Sequence, residues 1–339
     1  MIQTNLRAAV IGAGAWGTAL ARHLTIKGLP VRLWAHESEV VDDINYRREN
    51  GRFLPGISLP SSLSATNSLA EAVRHVDVII FAVPSHAARS VLAKLAPLLN
   101  DPIPFVSATK GIEETTLKLM SQVMHEILGP TVHRTLAYLS GPSFALEVCQ
   151  GRPTAVVLAG ENADLVRRLQ SFLMTPALRV YAGSDVLGVE LGGALKNVMA
   201  VAAGVVDGLG LGHNTRAALI TRGLAEMIRL GNAMGAETRT FYGLSGIGDL
   251  VLTCTGALSR NYTVGARLGR GERLADILEE THAVAEGVRT SRAAAGLATK
   301  YHIDMPIVDQ VCSVLFDGKP PRQAAAELME RAAKEEAEC

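Results

Sequence analysis

Cysteine is scarce and scattered. The four thiols, Cys149, Cys254, Cys312 and Cys339, show no CxxC or His-Cys spacing, which excludes a zinc knuckle or a disulfide framework and suits the reduced thiols of a cytoplasmic protein. An excess of either charge is missing too. Lys plus Arg and Asp plus Glu each number 33, so no global field favours nucleic acid or an acidic membrane, and a small ligand is the expected partner. Long apolar runs are interrupted or short: residues 188–212 contain Lys196 and Asp207, and residues 76–84 are too few to span a bilayer. The amino terminus, MIQTNLRAAVIGAG, enters a strand without the basic region and apolar core of a secretion signal. No repeat or low-complexity segment is present, and residues 322–339 read as an amphipathic helix running into a charged tail. The expectation is a cytoplasmic protein with no metal, no nucleic-acid partner and no membrane insertion.

What is present has the length of two domains. The 339 residues divide by pattern, with an alternating first half up to residue 187 and helix after helix from 188 to 339. The apolar run 8–11 is followed by Gly12-Ala-Gly14-Ala-Trp-Gly17, a helical pattern closed by Gly28, and a second strand at 31–34. A GxGxxG turn between strand and helix of a βαβ unit is the dinucleotide fingerprint. Gly12 permits the sharp turn, Gly14 admits a pyrophosphate to the backbone, and Gly17 lets helix and strand pack closely, while the helix N-terminus attracts the anion. A tight turn with no ligand is the alternative. The second strand ends Arg32-Leu-Trp34-Ala35-His36, with Glu37 only afterwards. A 2′-phosphate would therefore meet Arg32 or His36 without carboxylate repulsion, so NADPH is favoured with NADH tolerated; His36 also reads as an ordinary loop residue.

Further strands are expected at 78–83, 105–108, 135–139, 154–159 and 178–181. Ligands of open α/β sheets bind beyond the carboxyl ends of strands, where Lys110 and Ser140-Gly141-Pro142-Ser143 stand. Lys110 reads either as an anion-binding group or a solvated loop residue, and Ser143 either as part of a site or as a cap for a helix starting at Phe144. In the second half, GVELGGALKNVMAVAAG places Lys196 on a helix face of small residues, Gly192, Gly193, Ala200, Ala203 and Gly204 among them. A partly desolvated ammonium there would donate or accept a proton; the alternative is a lysine that snorkels to solvent. Asp249 stands at a helix start after a glycine turn, where an N-cap accounts for it. Ser259-Arg260-Asn261 reads as a capped helix start able to cradle phosphate, or as an unremarkable surface helix.

Together these blocks resemble the prokaryotic-type NAD(P)-dependent glycerol-3-phosphate dehydrogenases: GAGAWGTALA, PSH at Pro84, ATKG at Ala108, SGPSFA at Ser140, GVELGGALKNV, ALITRGLAEM at Ala218, GLSGIGDLVLTC at Gly243, SRN at Ser259 and Ala285-Glu286-Gly287. They follow the family's order over nearly the whole chain. The resemblance implies an α/β fold, with a Rossmann-type domain at 1–187 and an all-helical catalytic domain at 188–339 like the C-terminal domain of 6-phosphogluconate dehydrogenase. It implies interconversion of dihydroxyacetone phosphate and sn-glycerol 3-phosphate with NAD(P)H, for glycerophospholipid synthesis. It makes Lys196 the proton acceptor and donor, with Asp249 orienting it. Lys110, Gly141, Ser143, Asp249, Ser259, Arg260 and Asn261 match substrate-contacting positions, and Ala15, Trp16, His36, Lys110, Ala145, Arg260, Val284 and Glu286 match cofactor-contacting ones. Many members have Ser where this chain has Ala15, which removes a hydroxyl but leaves the backbone N–H. Closure of a cleft between the halves is expected to exclude water, and a homodimer through the apolar helices near residues 218–234 is expected. Two other readings remain: a ketopantoate or 3-hydroxyacid reductase, and a regulator that senses NAD(P)H without chemistry.

Overall fold

The computed structural model describes residues 6–99, 101–280, 285–333, 335 and 336. They form two compact units: residues up to Lys110 with Met120–Val186, and Gly111–Leu119 with the chain from Leu187 onwards.

The first unit is built on one sheet of eight strands: β1 (Ala8–Ile11), β2 (Val31–Trp34), β3 (Ser64–Thr66), β4 (Val78–Phe81), β5 (Phe105–Ser107), β6 (Leu136–Ser140), β7 (Thr154–Ala159) and β8 (Leu178–Gly183). Their order is β3-β2-β1-β4-β5-β6-β7-β8. The first six are parallel in the doubly wound order of dinucleotide-binding sheets, with the reversal between β1 and β4. β7 runs antiparallel to β6, and β8 parallel to β7. Because neighbouring side chains alternate between faces, Ala8 and Val10 of β1 enter one core while Ala9 and Ile11 enter another. Both faces are covered, which is why the strands read as continuous apolar runs.

Several expected boundaries move. β4 and β5 end earlier than the apolar composition suggested, at Phe81 and Ser107, and β6 runs from Leu136 to Ser140 because the preceding residues form a 3₁₀ turn, Pro130–Thr135. β3 was not anticipated, since three residues leave no periodic signal. The C-terminal helix is short, Pro321–Met329.

The second unit is helical, and no strand occurs in it among the described residues. Its axis is the helix Val186–Gly208, in which eighteen residues are buried. This helix is long and apolar enough to cross a membrane, but its apolar window is wholly buried. Its glycines are contact points. A Cβ on Gly192 would lie 2.3 Å from the Ser245 carbonyl oxygen, and one on Gly204 would lie 2.0 Å from that of Tyr262. The small-residue face is thus filled by the backbones of neighbouring segments. The segment Gly111–Leu119 packs into this unit, with Ile112 and Leu119 in the helical core and Glu114 paired to Arg292.

Candidate active site

In the first unit the glycine turn follows β1 directly. Gly12 has φ +112°, and a Cβ there would meet the Ala82 carbonyl oxygen at 2.7 Å, so only glycine fits. Gly14 opens onto free space, while a Cβ at Gly17 would strike the Gly12 carbonyl oxygen at 1.8 Å. The following helix, Ala15–Ile26, has no side-chain cap and no acid in its first turn. Its leading N–H groups and positive dipole end suit an anion. These features fit the pyrophosphate of a dinucleotide.

Ala15, Trp16 and Ala145 share one small apolar cluster with Ala19, Leu54 and Cys149. Trp16 is partly buried, and its Nε1–H has no hydrogen-bond partner among the described residues. His36 is exposed just past β2, its ring 6.1 Å from that of Trp34. Arg32, in the middle of β2, turns its Nη1 towards the carbonyl oxygens of Glu71 and, at 3.3 Å, Arg74. Lys110 and Ser143 converge on one acceptor: Lys110 Nζ donates to the Gly141 carbonyl at 3.1 Å and Ser143 Oγ at 3.0 Å. Ser143 does not cap the next helix, which runs from Ala145 to Cys149 and is uncapped by a side chain.

In the second unit Lys196 and Asp249 are both buried, 7% and 1% exposed. Lys196 Nζ donates to Asp249 Oδ1 at 2.6 Å and to Thr253 Oγ1 at 2.8 Å. Asp249 is the first residue of the helix Asp249–Thr255, whose N-cap position is Gly248. The close approach at Gly192 explains its placement: the turn Leu244–Gly248 lies backbone to backbone on the lysine helix and launches Asp249 towards Lys196. Thr253 was missed by the sequence reading, although its i+4 spacing from Asp249 puts both on one helix face. Cys254 beside it is fully buried, which pushes its thiol up to about 12 and makes it no nucleophile.

Ser259 caps the helix Arg260–Gly269 by accepting from the Tyr262 N–H at 3.2 Å. No acid occupies the first turn, and Arg260 is exposed. Asn261 is engaged inside the unit: its Nδ2 donates to Asn197 Oδ1, and its Oδ1 accepts from the Gly287 N–H, both at 2.9 Å. It thereby ties the Arg260 helix to the lysine helix and to the start of Glu286–Tyr301. Glu286 acts electrostatically on the Arg260 guanidinium. Val284 lies outside the described residues. Among the described residues no group of three His, Cys, Asp or Glu side chains comes together to hold a metal.

A glycine turn on a doubly wound sheet, and a helical unit with a paired, buried lysine, define a two-unit nicotinamide-dinucleotide dehydrogenase. Family models described as the N-terminus and the C-terminus of NAD-dependent glycerol-3-phosphate dehydrogenase match residues 7–166 and 185–326. The chain belongs to this family. It is 56% identical over 330 residues to glycerol-3-phosphate dehydrogenase (NAD(P)+) of Geobacter sulfurreducens, covering 97% of this chain and 98% of that one. The corresponding protein of Geobacter metallireducens is 57% identical over 327 residues, with 96% and 98% covered. Among solved structures, glycerol-3-phosphate dehydrogenase from Coxiella burnetii superposes with a TM-score of 0.93 at 40% identity, over 97% of this chain and all of that chain. A ketopantoate reductase from Ralstonia eutropha shares the fold at 16% identity and a TM-score of 0.59.

Proposed function

We propose that the protein interconverts dihydroxyacetone phosphate and sn-glycerol 3-phosphate with NAD(P)H, and so supplies glycerol 3-phosphate for glycerophospholipid synthesis. The observation that carries this reading is the buried Lys196 ammonium, held by Asp249 and Thr253. A bound nicotinamide would supply hydride to the C2 carbonyl carbon in one direction and accept it in the other. As negative charge builds on the carbonyl oxygen, Lys196 offsets it and donates a proton from Nζ, giving the secondary alcohol. In oxidation the neutral amine takes that proton back. Asp249 fixes the direction of the ammonium and opposes the desolvation that would discharge it.

Arg260 and the amides of its helix start would hold the phosphate, with Ser259 shaping that start. Asn261 serves this grip by fixing the helix, since its side-chain amide is tied to Asn197 and Gly287. In the first unit, Gly12, Gly14, Ala15, Trp16 and Gly17 would receive the dinucleotide, and His36 would meet a 2′-phosphate more readily than Arg32, whose Nη1 is occupied. Lys110, Gly141 and Ser143 would contact substrate, with Lys110 and Ala145 also on the cofactor. Glu286 and Val284 complete the cofactor set.

A cytoplasmic homodimer is part of the proposal, its interface along the helix Gly212–Met234, which leaves Ala217 and Ala218 exposed. Steady-state kinetics with both cofactors on dihydroxyacetone phosphate and on ketopantoate test the activity. Turnover of ketopantoate alone would overturn it.

A further inference from the structure

The glycine turn has a brace that its own motif does not contain. Between β2 and β3 the chain leaves the sheet and brings Asn50, 1% exposed, against the turn. Asn50 Nδ2 donates to the Ala13 carbonyl oxygen and to Thr18 Oγ1, each at 2.8 Å. Thr18 Oγ1 donates in turn to the same Ala13 oxygen at 3.2 Å, which closes a ring of three hydrogen bonds. Asn50 Oδ1 accepts from the Phe53 N–H at 3.1 Å. Every polar atom of the amide is used, and the arrangement works only one way round. A reversed amide would set its oxygen against the Ala13 carbonyl and its NH2 against the Phe53 N–H, and lose both of those hydrogen bonds.

Ala13 lies between the first two glycines of the turn. In a planar trans peptide its carbonyl and the following Gly14 N–H point in opposite directions. Two donors holding the carbonyl therefore also aim that N–H the other way. Gly14, on its carboxyl side, lacks a side chain and so leaves this peptide less intrinsic preference than a residue with a Cβ would. Turned round, it would present the negative end of its dipole to an incoming phosphate.

We propose that Asn50, acting with Thr18, is a positioning residue for dinucleotide binding: it locks the Ala13–Gly14 peptide with its N–H presented to the pyrophosphate. The proposal rests on the dinucleotide reading of the glycine turn given above. Asn50 touches no ligand in it and acts wholly through the backbone.

The test is a titration of the full-length protein with NADPH, followed by NADPH fluorescence and by calorimetry, for the parent and for Asn50→Ala, Thr18→Val and Thr18→Ser. The Kd for NADPH rises about tenfold in Asn50→Ala, as expected for a lost buried hydrogen-bond pair. It rises about threefold or more in Thr18→Val, which removes the hydroxyl but keeps the shape, and returns to within about twofold of the parent in Thr18→Ser. In steady state the rise falls on KM for NADPH, with KM for dihydroxyacetone phosphate within about twofold of the parent. A merely structural role would lower Tm and the active fraction while leaving KM for NADPH in place. If the parent binds no dinucleotide, the cofactor reading itself fails. If the parent binds and folded Asn50→Ala and Thr18→Val bind as it does, the cofactor reading stands and the brace is overturned. Where Asn50→Ala does not fold, the Thr18→Val and Thr18→Ser pair decides alone.

Discussion

Lys196 and Asp249, 53 residues apart in the chain, meet at 2.6 Å between Nζ and Oδ1 with almost no exposure to solvent. A glycine makes the meeting possible. Any side chain at Gly192 would push the turn before Asp249 off the lysine helix. Taking two charges out of water is costly, and packing alone would be served as well by two apolar residues. A buried pair in this family is therefore better explained by chemistry than by stability.

Replacing Lys196 with Met separates these contributions. Turnover falls by about two to four orders of magnitude, the usual worth of a general acid, while NADPH binds as in the parent. The stranded Asp249 carboxylate costs about 3–5 kcal/mol in urea unfolding. Adding Asp249→Leu restores much of the stability and none of the turnover. A Lys196→Met enzyme that kept a tenth of parent kcat would remove the lysine from the proposed chemistry.

Much of the first unit was legible because buried parallel strands carry their signal in composition: β1, β2 and β7 stand where the apolar runs placed them. The three-residue β3 and the reversed direction of β7 were not, since neither strand length nor pairing sense is written in a local pattern. The candidate site was legible as a set of separate motifs, and of their mutual contacts only Asp249 on Lys196 was expected, from the family resemblance. From its local sequence alone Asp249 reads as a cap, because its partner lies on another helix. Asn50 gave no sign at all, because its role is a contact across 37 residues with a backbone carbonyl. Glycine spacing signals close approach but does not say whether ligand or backbone does the approaching.

The phosphate grip predicts a difference between substrates. Arg260→Ala raises KM for dihydroxyacetone phosphate and lowers kcat/KM by about 10- to 100-fold, the range for one charge-assisted contact. Dihydroxyacetone, which lacks the phosphate, is a poor substrate of the parent because that binding energy no longer assists turnover. It suffers little further loss in the variant. Equal losses on both substrates would mean that Arg260 acts elsewhere. Arg260→Lys recovers only part of the effect, since the forked guanidinium geometry is missing.

Cofactor choice turns on the end of β2. His36 is exposed and available, whereas Arg32 has Nη1 on the carbonyls of Glu71 and Arg74. The ratio of kcat/KM for NADPH to that for NADH falls about threefold to tenfold in His36→Ala, in keeping with one solvent-exposed charge-assisted contact. It falls less in Arg32→Ala. Ratios equal to the parent in both variants would refute the assignment of this strand end to the 2′-phosphate.

A last prediction concerns Glu226, on the helix Gly212–Met234. Its carboxylate is 1% exposed and accepts the backbone N–H groups of Ile307 to Oε1 at 2.7 Å and Val308 to Oε2 at 3.3 Å, at the start of the helix Pro306–Phe316. Burial pushes its pKa up to about 7 from the usual 4.5; those two hydrogen bonds and Arg229 oppose the rise, and Asp309 adds to it. Between these values the folded chain keeps a proton that the unfolded chain has released. The resulting stability is fully present below the unfolded pKa and is lost as pH climbs through the folded one, a change on the order of 3 kcal/mol. Urea unfolding at pH 5 and pH 8 checks it: Glu226→Gln, which has no proton to lose, shows a pH dependence weaker than the parent's by about that amount. Identical slopes in the two proteins would show that Glu226 titrates alike in the folded and unfolded states.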